Sequence, residues 1–143
     1  MNDRDAARNP VRKTALIVED SPVQALALQN LLEFEGLQVL LASDGQSGLD
    51  LAVARHPDVI ILDFNMPGMN GLEACRRLHQ DLDTCDIPVI LMTGSPEEEI
   101  FTSGLQEGAV EFIPKDAFSN IVLVETLRQL HVLSFSGASG YGF

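Results

Sequence analysis

Five residues with useful chemistry stand at or just past the ends of apolar runs. Glu19 and Asp20 follow residues 15–18, Asp63 follows 59–62, Thr93 follows 88–92, and Lys115 lies just past 110–113. In open α/β sheets, ligands bind beyond the carboxyl ends of the strands. Carboxylates brought to one rim repel each other unless a cation sits between them. A hard divalent ion removes the conflict. Mg²⁺ suits the site because it takes one or two carboxylates and keeps water or phosphate oxygens as its remaining ligands. Asp63 is then placed to act as a nucleophile and form an acyl phosphate. The ion and the Lys115 ammonium would neutralise charge growing on the transferring oxygens, and Thr93 could donate a hydroxyl hydrogen bond to the same group.

Taken singly, each residue has a plainer explanation. Asp20 and Ser21 could simply open a helix. Asp63 could be a turn residue ahead of Pro67 and Gly68. Thr93 could be a strand-end threonine, Lys115 a solvated surface lysine and Phe112 ordinary core. Their joint placement at successive strand ends favours a site.

Something must hold those ends together. The apolar runs 15–18, 38–42, 59–62, 88–92 and 110–113 are short, and several are near-continuous and β-branched, the pattern of strands buried on both faces of a parallel sheet. Helix starts lie between them. Ser21, Pro22 and Gln24 combine an N-cap, a first-turn proline and a capping-box partner. Asn70 and Glu73 repeat the box, as do Ser95 and Glu98, with Glu97–Glu99 suiting the positive end of a helix dipole. A last helix after Asp116 places Ile121, Val124, Leu127 and Leu130 at roughly helical spacing. Gly36, Gly94 and Gly108 fall at breaks. The reading is five strands alternating with five helices, in a doubly wound α/β sandwich.

Composition narrows the options. The chain has 143 residues and two cysteines, Cys75 and Cys85, so it reads as one domain without a disulfide framework. No apolar run is long enough to span a bilayer, and residues 1–13 lack the apolar core of a secretory signal, so a cytoplasmic location is expected. Net charge is −12, with 9 basic and 21 acidic residues. Four of the basic residues, Arg4, Arg8, Arg12 and Lys13, stand in the N-terminal segment. The remainder is more acidic still and should repel a nucleic-acid backbone. Residues 1–13 read as a flexible arm, 14–133 as the domain, and the Gly/Ser-rich 134–143 as a flexible tail or the start of a linker.

Over residues 14–133 the chain resembles the response-regulator receiver family of two-component signalling, of the single-domain chemotaxis-regulator type. The resemblance is carried by residues 15–21 (ALIVEDS), 60–71 (IILDFNMPGMNG), 89–94 (VILMTG) and 111–115 (EFIPK). It implies the flavodoxin-like strand order 2-1-3-4-5. It implies that Asp63 is the phosphoacceptor and that Asp20 binds Mg²⁺, with Glu19 acting through a water and Asn65 through its backbone carbonyl. Thr93 and Lys115 would grip the phosphoryl group, and Phe112 would turn inward as Thr93 shifts. Implied partners are a histidine kinase or histidine phosphotransfer protein, and a downstream protein at the face formed by the fourth helix, fifth strand and fifth helix. Three positions depart from the family pattern. Asp116 follows Lys115 where proline is usual, Gly94 follows Thr93 where alanine is common, and Asn65 occupies a position that commonly tunes acyl-phosphate lifetime.

Other readings compete. The chain could be the receiver module of a larger hybrid histidine kinase or cyclic-dinucleotide enzyme. A Mg²⁺-dependent aspartyl phosphatase of the haloacid-dehalogenase-like kind needs a second Asp two residues beyond its nucleophile, where this chain has Asn65. A flavodoxin needs a phosphate cradle after the first strand, where Glu19 and Asp20 would repel phosphate. The expected protein is therefore a phosphoacceptor rather than an enzyme.

Overall fold

A computed structural model describes residues 12–94 and 105–133. The helix expected after Ser95 and both terminal segments lie outside the described residues. Five parallel strands, β1 (Thr14–Val18), β2 (Gln38–Ala42), β3 (Val59–Asp63), β4 (Val89–Thr93) and β5 (Glu111–Pro114), form one sheet in the order β2-β1-β3-β4-β5. Four helices accompany them among the described residues: α1 (Pro22–Phe34), α2 (Gly45–Arg55), α3 (Gly71–Gln80) and α4 (Ser119–Gln129).

Side chains alternate across each strand, and the two sets build two cores. Leu16, Val18, Ile60, Leu62, Leu91 and Phe112 pack with Ala52 of α2 and Ala74, Cys75 and Leu78 of α3. Ala15, Ile17, Ile61, Ile90, Met92 and Ile113 pack with Leu32 of α1 and Leu123, Val124 and Leu127 of α4. Both faces of the sheet are therefore covered, which is why the strands read as continuous apolar runs.

Polar caps start the helices. Ser21 Oγ accepts from the Gln24 N–H, Asp44 Oδ1 from the Ser47 N–H at 2.8 Å, and Asn70 Oδ1 from the Glu73 N–H at 2.9 Å. The Ser47 contacts hold the Asp44 carboxyl below its ordinary range. The two capping boxes are only half made. Gln24 sends its amide to Lys115, because Glu19 Oε2 already accepts the Ser21 N–H. Glu73 turns to Arg76 and Arg77 instead.

Helix α4 differs from expectation in its buried stripe. Ile121 is exposed, and Leu123 joins Val124 and Leu127 in the core. No side chain caps its start. Asp116 shapes the turn before it, accepting the Phe118 N–H at Oδ1 (2.8 Å) and the Ser119 N–H and hydroxyl at its carbonyl. No peptide bond among the described residues is cis.

Candidate functional site

Glu19, Asp63, Thr93 and Lys115 sit where a strand hands over to a loop. Glu19 follows β1 and is 4 % exposed, Asp63 ends β3 at 5 %, and Thr93 ends β4 fully buried. Asp20 is exposed beside them. Glu19, Asp20 and Asp63 each offer a carboxylate oxygen within 4.8 Å of the others. Burial pushes the Glu19 carboxyl above its ordinary range, reinforced by the Asp63 charge and opposed by hydrogen bonds from the Ser21 N–H and Lys115. A set made of oxygens only, with one member already disfavoured as an anion, suits a hard divalent cation such as Mg²⁺.

Lys115 closes the site from β5. Its backbone N–H donates to the Thr93 carbonyl at 2.7 Å, which ties the ends of β4 and β5 together. Its ammonium lies 3.0 Å from Asp63 Oδ1 and 3.1 Å from Glu19 Oε1. The third acceptor is Gln24 Oε1 at 2.7 Å. The ammonium thus donates hydrogen bonds to Glu19 and Gln24 and is ion-paired with Asp63. A cleft of about 340 Å³ beside it, between α1 and α4, is lined by Glu19, Gln24, Leu28, Met92 and Ser119. The site therefore communicates with solvent along the α1 side.

Asn65 joins β3 to β4. Its backbone N–H donates to Asp63 Oδ1 at 3.1 Å. Its side-chain oxygen accepts from Thr93 Oγ1 at 3.2 Å and from the Gly94 N–H at 3.3 Å. Phe112 is 4 % exposed, inside the core under α2 and α3.

Gly71 sets the backbone of this region. A Cβ there would stand 2.6 Å from the Asp63 carbonyl oxygen and 2.7 Å from Phe64 Cα. The Gly71 N–H also donates to the Phe64 carbonyl at 3.0 Å. Only glycine lets α3 begin this close to the end of β3.

The structure thus brings Glu19, Asp20, Asp63 and Lys115 together, with Thr93 reached through Asn65. Three contributors were not assigned these parts from sequence: Gln24, the Asn65 carboxamide and Gly71. Gln24 carried a signal, since it begins the helix beside Glu19, but the capping-box reading absorbed it.

The profile of the response regulator receiver domain family matches residues 15–128. The chain belongs to this family. It is 42% identical over 100 residues to Protein PilH of Pseudomonas aeruginosa, covering 70% of this chain and 83% of that protein. It is 40% identical over 119 residues to the phosphate regulon transcriptional regulatory protein PhoB of the same organism, covering 82% of this chain. It spans about half the length of that relative, 51%. Among solved structures, the chemotaxis protein CheY4 of Vibrio cholerae superposes with a TM-score of 0.78 at 28% identity, covering 84% of this chain and 99% of that one. Receiver domains are phosphoacceptors that bind Mg²⁺ at an acidic pocket and interact with histidine kinases or phosphotransfer proteins. This receiver domain has an acidic cluster, Glu19, Asp20 and Asp63.

Proposed function

We propose that this receiver domain takes a phosphoryl group from a histidine kinase or histidine phosphotransfer protein onto Asp63. The observation that carries the reading is the meeting of Glu19, Asp20 and Asp63 within 4.8 Å, with the Lys115 ammonium 3.0 Å from Asp63 Oδ1. Asp20 and Asp63 would hold Mg²⁺, with Glu19 acting through a water and the Asn65 backbone carbonyl completing the set. The bound ion supplies charge neutralisation on the phosphoryl oxygens.

The remaining steps belong to the chain's own residues. A carboxylate oxygen of Asp63 attacks phosphorus; the bond to the donor imidazole nitrogen breaks, and the imidazole leaves with the bond's electron pair. Lys115 and Thr93 hold the transferred oxygens. The recruited Thr93 shifts the end of β4, and the change reaches the face of the expected fourth helix, β5 and α4, where a downstream protein binds. The protein acts as a phosphoacceptor rather than an enzyme, in the cytoplasm, without direct nucleic-acid contact. Among the described residues no helix is long and apolar enough to cross a membrane.

The second reading, a receiver module within a larger signalling protein, draws support from the half-length match to PhoB. Both readings share the chemistry at Asp63. Incubation with Mg²⁺ and acetyl phosphate, followed by rapid quenching and intact-mass measurement, should show a gain of one phosphoryl group. The gain should vanish in Asp63→Asn and with chelator. An undiminished gain in Asp63→Asn would move the acceptor elsewhere.

A further inference from the structure

The Asn65 carboxamide makes contacts that its place in the metal site does not require. Its oxygen accepts from the Thr93 hydroxyl at 3.2 Å and from the Gly94 N–H at 3.3 Å. Chemistry fixes which end of the amide points there. The Gly94 N–H can only donate, so it faces the oxygen and not the NH₂ group. The backbone of the same residue touches Asp63 Oδ1. One residue therefore links the phosphoacceptor to the threonine that would grip the phosphoryl group.

We propose that Asn65 is a positioning residue that latches Thr93 and Gly94, so that a phosphoryl group on Asp63 has to win the Thr93 hydroxyl from the Asn65 carboxamide before the end of β4 can move. The proposal rests on the reading of Asp63 as phosphoacceptor. A threonine hydroxyl has one hydrogen to donate and cannot give it to the carboxamide and to a phosphoryl oxygen at once. Thr93 is fully buried, so bulk water cannot take over a released partner without cost. A charged phosphoryl oxygen is the stronger acceptor and wins the hydroxyl. Gly94 shares the latch and is bonded to Thr93 covalently, so the two contacts break together, which favours two discrete arrangements over a graded shift. Among the described residues, a Cβ on Gly94 would meet nothing within 4 Å.

The latch can be tested on the whole chain in chelator, without any phosphorylation. Amide hydrogen exchange and the ¹⁵N–¹H resonance of Gly94 are the readouts. Asn65→Ala should speed Gly94 exchange roughly three- to tenfold, the size of one modest hydrogen bond, and should move its resonance. Asn65→Asp keeps an acceptor oxygen in place and should restore slow exchange, whereas Asn65→Leu, which fills similar space without an acceptor, should exchange as fast as Asn65→Ala. Thr93→Val is a second variant, for use if Asn65→Ala does not fold. It removes the hydroxyl, and because the two contacts break together it should shift the Asn65 side-chain NH₂ resonances and speed Gly94 exchange.

With Mg²⁺ and acetyl phosphate, the Gly94 resonance of the wild type should move toward the position that Asn65→Ala already shows. Wild-type exchange in Asn65→Ala, or Asn65→Asp behaving like Asn65→Ala, overturns the latch. A wild type that gains no phosphoryl mass overturns the phosphoacceptor reading instead, and the exchange result still judges the latch by itself.

Discussion

The two halves of the site are tied in different ways. On one side a charged group, the Lys115 ammonium, gathers Glu19 after β1, Asp63 of β3 and Gln24 of α1 from its place beyond β5. On the other a neutral amide, Asn65, joins the ends of β3 and β4 by two hydrogen bonds of 3.2 and 3.3 Å. The charged tie reaches distant elements and balances carboxylates that would otherwise repel. Its loss leaves buried anions without a partner, which is costly. The neutral tie spans adjacent strands, and its loss costs about one or two ordinary hydrogen bonds. A site meant to hold its shape and still change state can use both: a strong bond where the charge must stay, and a weak one where the backbone must let go.

Gly71→Ala should break both halves at once, and it carries the largest expected effect. The added methyl would strike the Asp63 carbonyl and Phe64 Cα, which are backbone and cannot swing aside. Overpacking of this kind costs about 3 kcal/mol. The urea midpoint should fall accordingly with an unchanged m-value, and Mg²⁺ binding should weaken because Asp63 and Asn65 are displaced together. An unchanged midpoint would mean that α3 shifts freely, and that its close approach does not set the site.

Lys115→Met should affect the charged half alone. With chelator at neutral pH it should cost about 2 kcal/mol, less than a fully buried pair because the lysine side chain is 25% exposed. Mg²⁺ should recover most of the loss. The pH dependence has a definite sign. Glu19, faced by Asp20, Asp63 and Lys115, has a carboxyl raised above 4.5 in the folded chain. The folded state therefore binds its proton more readily, and stability falls as pH rises from 4.5 through the folded value. Lys115 opposes that rise. Its removal should steepen the fall, and the variant should approach wild type below pH 4.5. A deficit that stays constant from acid to neutral pH would show that packing of the lysine stem, not charge, is what was lost.

The same contrast explains how much was legible in the sequence. The strands were, because burial on both faces leaves short apolar runs and the polar residues at their ends stand out: Asp63 and Thr93 each close a fully buried strand. Their order came only through the family resemblance, since no run by itself says which strand it will pair with. The charged half was legible too, since an isolated lysine beyond the last run invites a partner among the carboxylates. The neutral half was not. Whether Asn65 reaches Thr93 depends on how two strand ends 28 residues apart meet, and no local pattern encodes that. Helix α4 shows another limit. Residues 121–124 are all apolar, so spacing alone cannot decide between Ile121 and Leu123 as the buried position, and packing of the helix against the sheet, chiefly at β5, chose Leu123.

Gln24→Leu is the finest probe of the comparison. Gln24 is exposed, and its oxygen gives Lys115 its shortest contact, 2.7 Å, but it is neutral and water can replace it. The expected loss of stability is therefore small, about 0.5–1 kcal/mol. Its meaning lies in coupling. If Gln24 acts by holding the ammonium over Glu19 and Asp63, the substitution should cost nothing further once Lys115 is already Met. The double-mutant cycle should then return nearly the whole single-variant effect as interaction energy. Additive losses would show that Gln24 stabilises the start of α1 on its own account, and the charged half would then consist of Lys115 and its two carboxylates alone.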